Sequence, residues 1–470
     1  MTSDNHKYHR YHIETQKSEE IEKWPPRFRV KVGKIGLAKW LIAEFLEHGP
    51  QKMDVILSRP CMYGVFSGPI GGFAPRPQHC VACLRCTTEN PEFISVTHNP
   101  DNHKLGDSYF NSEYINAIRY ESMEGMIPVR GAGYRGKFGG EGWDGMWTDM
   151  SEIVRPTRDG IHGREFISTV VDIGYRPNFL VFDENNNMVG SQPQIVSIPL
   201  PILFDVPPAS SAETTSQQIT ANAAKKLESL AVLPIDSMLS LNLTGEHLVP
   251  LVKPDQASLL KELGFTPRLV EMDGWNPHLL VAIQDCCPDA IIVLRSPFTS
   301  KEELLDYIHQ GIHTFHFLAD FQGEGKDGAF VLDLIRETHQ HLVEAGIRQE
   351  ATLIASGGMI AAEHIPKAIL CGLDAVAIDT PIMAALQAKF NGEQKDRATS
   401  HFALPRKLTV EWGTQRLLNL AASWRDQLLE ISGAMGLREI RRMRGEMGRA
   451  MFTKNLEANA FAGVTGYDRV

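Results

Sequence analysis

Residues 351–381 read ATLIASGGMIAAEHIPKAILCGLDAVAIDTP, which parses as strand, Gly-Gly turn, helix and strand. Residues 351–355 are a short apolar run ending at Ser356-Gly357-Gly358, where small residues let backbone N–H groups face an anion. Residues 360–370 carry apolar side chains at helical spacing, and Gly372 follows where a helix wants its C-terminal glycine. A second apolar run, 375–378, closes on Asp379-Thr380-Pro381. A βαβ unit with two small-residue turns is how the last two strands of a (β/α)8 barrel hold a phosphate, although an ordinary ligand-free βαβ unit reads the same way.

Working outward, six more buried runs can be counted, eight in all. The candidate strands are 195–204, 231–235, 248–252, 268–272, 290–295, 314–319, 352–355 and 375–378. The first is a continuous apolar run, as in a strand buried on both faces. Helical patterns at 216–229, 257–263, 278–286, 301–310 and 329–345 lie between them, and the connection from the second run to the third is too short for a full helix. The alternation predicts an α/β fold, a closed (β/α)8 TIM barrel. Its strand ends carry Asp205, Asp236, Lys253, Asp273, Arg295, the Asp320-to-Gly325 loop, Ser356-Gly357-Gly358 and Asp379-Thr380.

The chain has 470 residues, is 43% hydrophobic and carries a net charge of −10, which argues against nucleic-acid binding. No run approaches the ~18 apolar residues needed to span a bilayer, and the polar N-terminus has no secretory h-region, so the expected location is cytoplasmic. In that compartment a cluster of cysteines suits metal binding better than disulfides.

Cys80, Cys83 and Cys86 form a C-x2-C-x2-C run, with Cys61 upstream in a loop-rich segment. Two-residue spacing lets successive thiolates wrap one corner of an iron–sulfur cluster. The ferredoxin pattern would put a fourth Cys where Asn90 precedes Pro91, so Cys61 is the nearby substitute. A [4Fe–4S] cluster is the first choice, a [3Fe–4S] cluster on three Cys the second and zinc the third.

The segment from Glu113 onward is dense in glycine, aromatic and charged residues, and it reads as a long ordered loop. Within it Arg155, Arg158, His162 and Arg164 could neutralise an anionic substrate, or pair with the acidic residues interleaved among them. Residues 35–48 read as an amphipathic helix, 181–190 as a hairpin, and 407–462 as helical, with Arg438, Arg441, Arg442, Arg444 and Arg449 crowding one region. The expected layout is a disordered tail (1–25), a cysteine region (26–110), a glycine-rich segment over the barrel mouth (111–193), the barrel (194–400) and C-terminal helices (401–470).

Three stretches resemble the FMN-binding glutamate-synthase-related family: MWTDMSEIVRPTRDGIHGREFISTVVDIG (146–174), SGGM with GLDAVAIDTPIM, and AMGLREIRRMRGEMGRAMF (434–452). The resemblance covers roughly residues 110–465. It implies a flavin barrel fed with electrons by iron–sulfur centres. It places the FMN phosphate at Gly357, Gly358 and Thr380, beside Ser356 and beside Asp379, an anion where the family has a glycine, with Gly323 and Gly325 on the preceding loop and Arg295 near the flavin ring. The family's Gly-Glu-Gly-Gly run reads PIDSMLSL here, and Met359-Ile360 replaces the Arg after the Gly-Gly turn. The function this implies is an oxidoreductase component passing electrons between the Cys61/Cys80/Cys83/Cys86 cluster and FMN, within a larger redox complex. A homo-oligomer is also open. Amination of a 2-oxo acid is one alternative, and a structural subunit that has lost FMN is another.

Overall fold

The computed structural model describes residues 11–58, 61–128, 139–148, 166–189 and 194–465. The chain divides into two compact units, one of Met1–Glu19, Ile118–Ile127 and Phe138–Val470, the other of Glu20–Ala117 and Pro128–Lys137.

The first unit is a closed barrel of eight parallel strands. They are β1 (Ile202–Phe204), β2 (Ala231–Pro234), β3 (Leu248–Val252), β4 (Leu269–Asp273), β5 (Ile291–Pro297), β6 (Thr314–Leu318), β7 (Thr352–Ser356) and β8 (Ala375–Ile378). Each strand pairs with its successor, and β8 closes on β1 through Val376 with Ile202 and Ile378 with Phe204. The intervening helices are α1 (Glu213–Lys226), α2 (Ile235–Ser240), α3 (Pro277–Cys286), α4 (Lys301–His309), α5 (Val331–Glu344), α6 (His364–Cys371) and α7 (Thr380–Ala385), with a 3-10 stretch at Pro254–Glu262. The sequence supplies their starts: Asn276 accepts from the Leu279 amide and Ser300 from the Glu303 amide. Such a cap is worth roughly 1 kcal/mol. The long helix α8 (Val410–Ala434) packs along α1.

The first expected strand, 195–204, is two strands. Gln194–Ile198 pairs antiparallel with Val171–Tyr175, and only Ile202–Phe204 joins the barrel. Pro199 and Pro201 stand at the break, and neither has an N–H to give a ladder. The Val171–Tyr175 strand lies at the N-terminal end of the barrel, where Gly174 N donates to Thr352 Oγ1 at the start of β7. Two further expectations change. Ser112–Glu124 is a helix rather than loop, because the sequence has no glycine until Gly125. The C-terminal region is not helical throughout: past α8 it forms turns and a short strand, Ala450–Phe452, paired with Met146–Thr148, before a last helix, Thr453–Phe461. Residues 11–19, read above as part of the tail, are held by specific bonds: Tyr11 OH donates to Leu227 O, Asn419 Nδ2 to Gln16 O, and Ser18 N to Met123 O.

The second unit is built on an antiparallel pair, Phe28–Val32 with Ile94–His98, beside the helix Lys34–His48. Its small core gathers Cys61, Val65, Phe66, Cys86 and Ile94, with Cys80 and Phe93 packed against it.

Candidate functional site

A closed set of charges fills the C-terminal end of the barrel. Arg295 on β5 is only 7% exposed and donates through Nη1 to Asp205 Oδ1 at 2.7 Å and to Glu271 Oε1 at 2.8 Å. Its Nη2 reaches Asp205 Oδ2 at 3.1 Å. Asp205 directly follows β1, which stands opposite β5 in the ring of eight, so this pair crosses the lumen. Glu271 on β4 also faces His316 Nδ1 of β6 at 2.6 Å, and His316 Nε2 lies 3.2 Å from Ser356 Oγ of β7.

Arg397 closes the set from above. It sits in a strap, residues 387–404, tied to the barrel mouth at several points. Phe321 N donates to Lys395 O, Phe402 N to Ala209 O and Ser211 N to Phe402 O. Lys395 pairs with Glu324 at 2.7 Å. From this strap Arg397 donates to Asp379 Oδ2 at 2.6 Å, Ser356 Oγ at 3.1 Å, Asp205 Oδ2 at 3.3 Å and Ala319 O at 2.7 Å, and its guanidinium lies over the Phe321 ring.

Burial by itself would raise the carboxyls of Asp205 and Glu271. For Asp205, the neighbouring Arg295, His316 and Arg397 outweigh it, and for Glu271, His316 and Arg295 do, so both are held below the ordinary carboxylate range. Burial would likewise favour a neutral Arg295, but its two carboxylate partners hold the guanidinium charged. Arg295 and Arg397 between them reach the carboxylates of Asp205, Glu271 and Asp379.

Arg295, Ser356, Asp379 and Thr380, four of the residues that the resemblance placed at FMN, belong to this constellation or adjoin it. They are not arranged as a phosphate cradle. Asp379 is 1% exposed; its Oδ1 accepts from Thr380 N at 2.5 Å and Thr380 Oγ1 at 2.9 Å, while Oδ2 takes Arg397. The amide, the hydroxyl and the cation that could meet a phosphate are thus already on a carboxylate. The glycines serve the packing of one loop on another. Gly357 and Gly358 have φ of +96° and +71°; a Cβ on Gly357 would stand 2.4 Å from Asp320 O, and one on Gly358 would stand 2.4 Å from the Cα of Gly323. A Cβ on Gly325 would meet Leu334 at 2.7 Å. On the other side Trp143 Nε1 donates to Gly358 O at 2.8 Å, and its ring stacks on His364. These residues, as arranged, do not fit a flavin phosphate.

Sequence reading missed Glu271, His316, Arg397 and Trp143. Glu271 and His316 are charged or polar positions inside otherwise apolar strands, LVEMD (269–273) and TFHFL (314–318), which a hydropathy count passes over. Arg397 sits in a polar loop with no motif; the one available signal was the excess of acids at the strand ends, which demands a cation. Arg155, Arg158, His162 and Arg164 lie outside the described residues.

The cysteine loop is the second candidate. A 3-10 turn, Pro77–His79, leads into Cys80, and the short helix Arg85–Glu89 carries Cys86. Between the cysteines Ala82 and Leu84 have φ of +56° and +60°. Two left-handed non-glycine residues, one apart, are costly backbone that surrounding structure must enforce. They coil the loop so that Cys80, Cys83 and Cys86 become electrostatic neighbours of one another and of Cys61. Burial pushes the Cys86 thiol up to about 11, with Cys61, Cys80 and Cys83 adding to the rise; burial also raises Cys80. Among the described residues no three His, Cys, Asp or Glu side chains stand in a metal-holding geometry, so the four thiols are gathered without forming a coordination shell. As a donor set they fit a thiolate-ligated cluster.

Residues 327–438, from the loop after β6 through α8 to Arg438, match the model of the conserved region in glutamate synthase. An archaeal-type glutamate synthase [NADPH] of Dehalococcoides mccartyi is 24% identical over 434 residues, covering 79% of this chain and 86% of that one. The archaeal glutamate synthase [NADPH] of Methanocaldococcus jannaschii is 36% identical over 121 residues, 24% of each chain. Among solved structures, a flavocytochrome b2 with sulfite bound aligns with a TM-score of 0.43 at 9% identity over 78% of this chain and 86% of that one. A lactate oxidase of Pediococcus acidilactici aligns at 0.40 and 12% identity over 53% and 75%. The chain thus carries the conserved region of glutamate synthase at residues 327–438 and is similar over most of its length to an archaeal-type glutamate synthase.

Proposed function

We propose that the protein is an oxidoreductase component that carries electrons on an iron–sulfur cluster held by Cys61, Cys80, Cys83 and Cys86, and that it works as a subunit of a larger redox complex. The gathering of four thiols by a loop coiled at Ala82 and Leu84 is the observation that carries this reading. A strained loop around converging thiols has little reason to persist unless something rewards it. Cys61 and Cys86 are each 9% exposed within an apolar cluster, which would keep a cluster dry and set its potential. Because Cys86 and Cys80 hold their protons tightly without a metal, assembly should release protons and strengthen with rising pH. The partner would supply or take the electrons; the relatives' names carry NADPH, which makes a nicotinamide-linked subunit the fitting source.

The relationship to glutamate synthases suggests FMN as a second carrier in the barrel. The ion network at the barrel mouth favours a second reading, in which the barrel is a scaffold without flavin. Anaerobic reconstitution with iron and sulfide tests the main proposal. We expect about four irons per chain and a broad visible shoulder, lost in Cys80→Ser, Cys83→Ser and Cys86→Ser. Iron content equal to wild type in all three variants would sink the proposal. Survival of the cluster in Cys61→Ser alone would shift it to three thiolates.

A further inference from the structure

We infer that this barrel is closed to FMN by its own side chain: the Asp379 carboxylate stands in for a phosphate at the end of β8, and Arg397 on the strap locks it there. The inference goes beyond the iron–sulfur proposal and rests on different residues.

Three observations converge on it. The carboxylate is 1% exposed and fully engaged, Oδ1 with the Thr380 amide and hydroxyl and Oδ2 with Arg397. It presents two oxygens to an N–H, an O–H and a guanidinium, the donors a phosphate monoester would recruit. Next, Arg397 cannot turn to a ligand without leaving something buried behind it. The same guanidinium also serves Asp205, Ser356 and the Ala319 carbonyl, and Asp205 is 0% exposed. Finally, the space is closed by backbone. The turn at Gly357-Gly358 lies directly on Ala319, Asp320 and Gly323, so its glycines are used up in contact between loops. A phosphate here would meet a fixed anion whose cation, Arg397, is already engaged, and repulsion at such range in a buried setting is far stronger than in water.

Equilibrium dialysis of the full-length protein against FMN, with riboflavin as the phosphate-free control, tests this, together with acid extraction of the protein as isolated. Wild type should release no flavin and bind neither compound. Asp379→Gly and Asp379→Asn each free Arg397 and Thr380 of the competing carboxylate. In these variants FMN binding should appear at a tenfold or greater preference over riboflavin. One flavin per chain released from wild type, or saturable FMN binding by wild type, would overturn the inference. So would folded variants, with wild-type circular dichroism, that bind no more FMN than wild type does. The wild-type measurements need no variant, so a variant that misfolds does not shield the inference from refutation. Iron content, read on the same samples, reports on the cysteines alone and separates a failure here from a failure of the iron–sulfur proposal.

Discussion

Asp379 shows how much can turn on one side chain. From sequence it is an anion beside a supposed phosphate; in the fold it is the anion. Arg397→Ala should therefore destabilise the protein by roughly 3–5 kcal/mol, the cost of stranding buried carboxylates, read as a lower urea midpoint. Pairing it with Asp379→Asn should recover part of that loss, since one stranded charge is then gone. The pH dependence follows from three other buried carboxylates and two histidines. Burial, then Arg348 and Arg444, pulls His339 down to about 4, and burial, then Lys225 and Arg268, does the same to His247. Both are neutral in the fold and charge more readily when unfolded, so stability should fall as pH drops from about 6.5 toward 4. Asp205, Glu271 and Asp374 are held low, so their contribution is present above the ordinary carboxylate pKa of about 4 and is lost below it. His339→Gln should flatten the first of these losses in a pH series of thermal melts and leave the second. Positions like these were hard to read in advance because a residue's partners come from distant parts of the chain: Asp379 was visible, but Arg397 had no motif to announce it.

Among elements, the barrel strands were legible because each is a short buried run between turn signals. The helices were legible from their 3.6-residue spacing, their caps and Gly372. The failures have local causes. Pro199 and Pro201 look like part of one apolar run to a hydropathy count, yet they cut it into a strand of the barrel and a strand of another sheet. The helix Ser112–Glu124 was overshadowed by the glycines that follow it. The Gly-Gly turn was recognised as a turn, but its use was not. Small residues signal close approach without saying whether a ligand or another loop approaches. Gly358→Ala tests this. Its Cβ would collide with Gly323 in a left-handed conformation, so the variant should lose on the order of 1–3 kcal/mol in thermal unfolding even with no flavin present.

For the whole molecule, eight buried runs alternating with helical patterns read as one closed barrel, which the pairing of the strands bears out, and no helix among the described residues is long and apolar enough to cross a membrane. The crowded arginines past α8 are largely internal partners rather than a binding face. Arg441 pairs with Asp172 at 2.7 Å, and Arg444 with Asp374 at 2.5 Å. The two compact units carry the two candidate sites separately, the cysteines in one and the ion network in the other. Loss of iron in the cysteine variants should accordingly leave the acid-side stability profile of the barrel unchanged, which pH melts of Cys83→Ser would check.

The ion pair across the lumen also bears on how the barrel comes together. Asp205 is 90 residues from Arg295 and 192 from Arg397, and all three meet only when β8 has closed on β1 and the strap has settled. Contacts of such long range are made late, after most loop-closure entropy has been spent. The network should therefore contribute little to the folding barrier and much to the escape barrier. In chevron measurements Arg397→Ala should speed unfolding and leave the refolding rate almost unchanged. On that view the charges act as a bolt thrown after the door has shut, and what they give the protein is lifetime rather than speed of assembly.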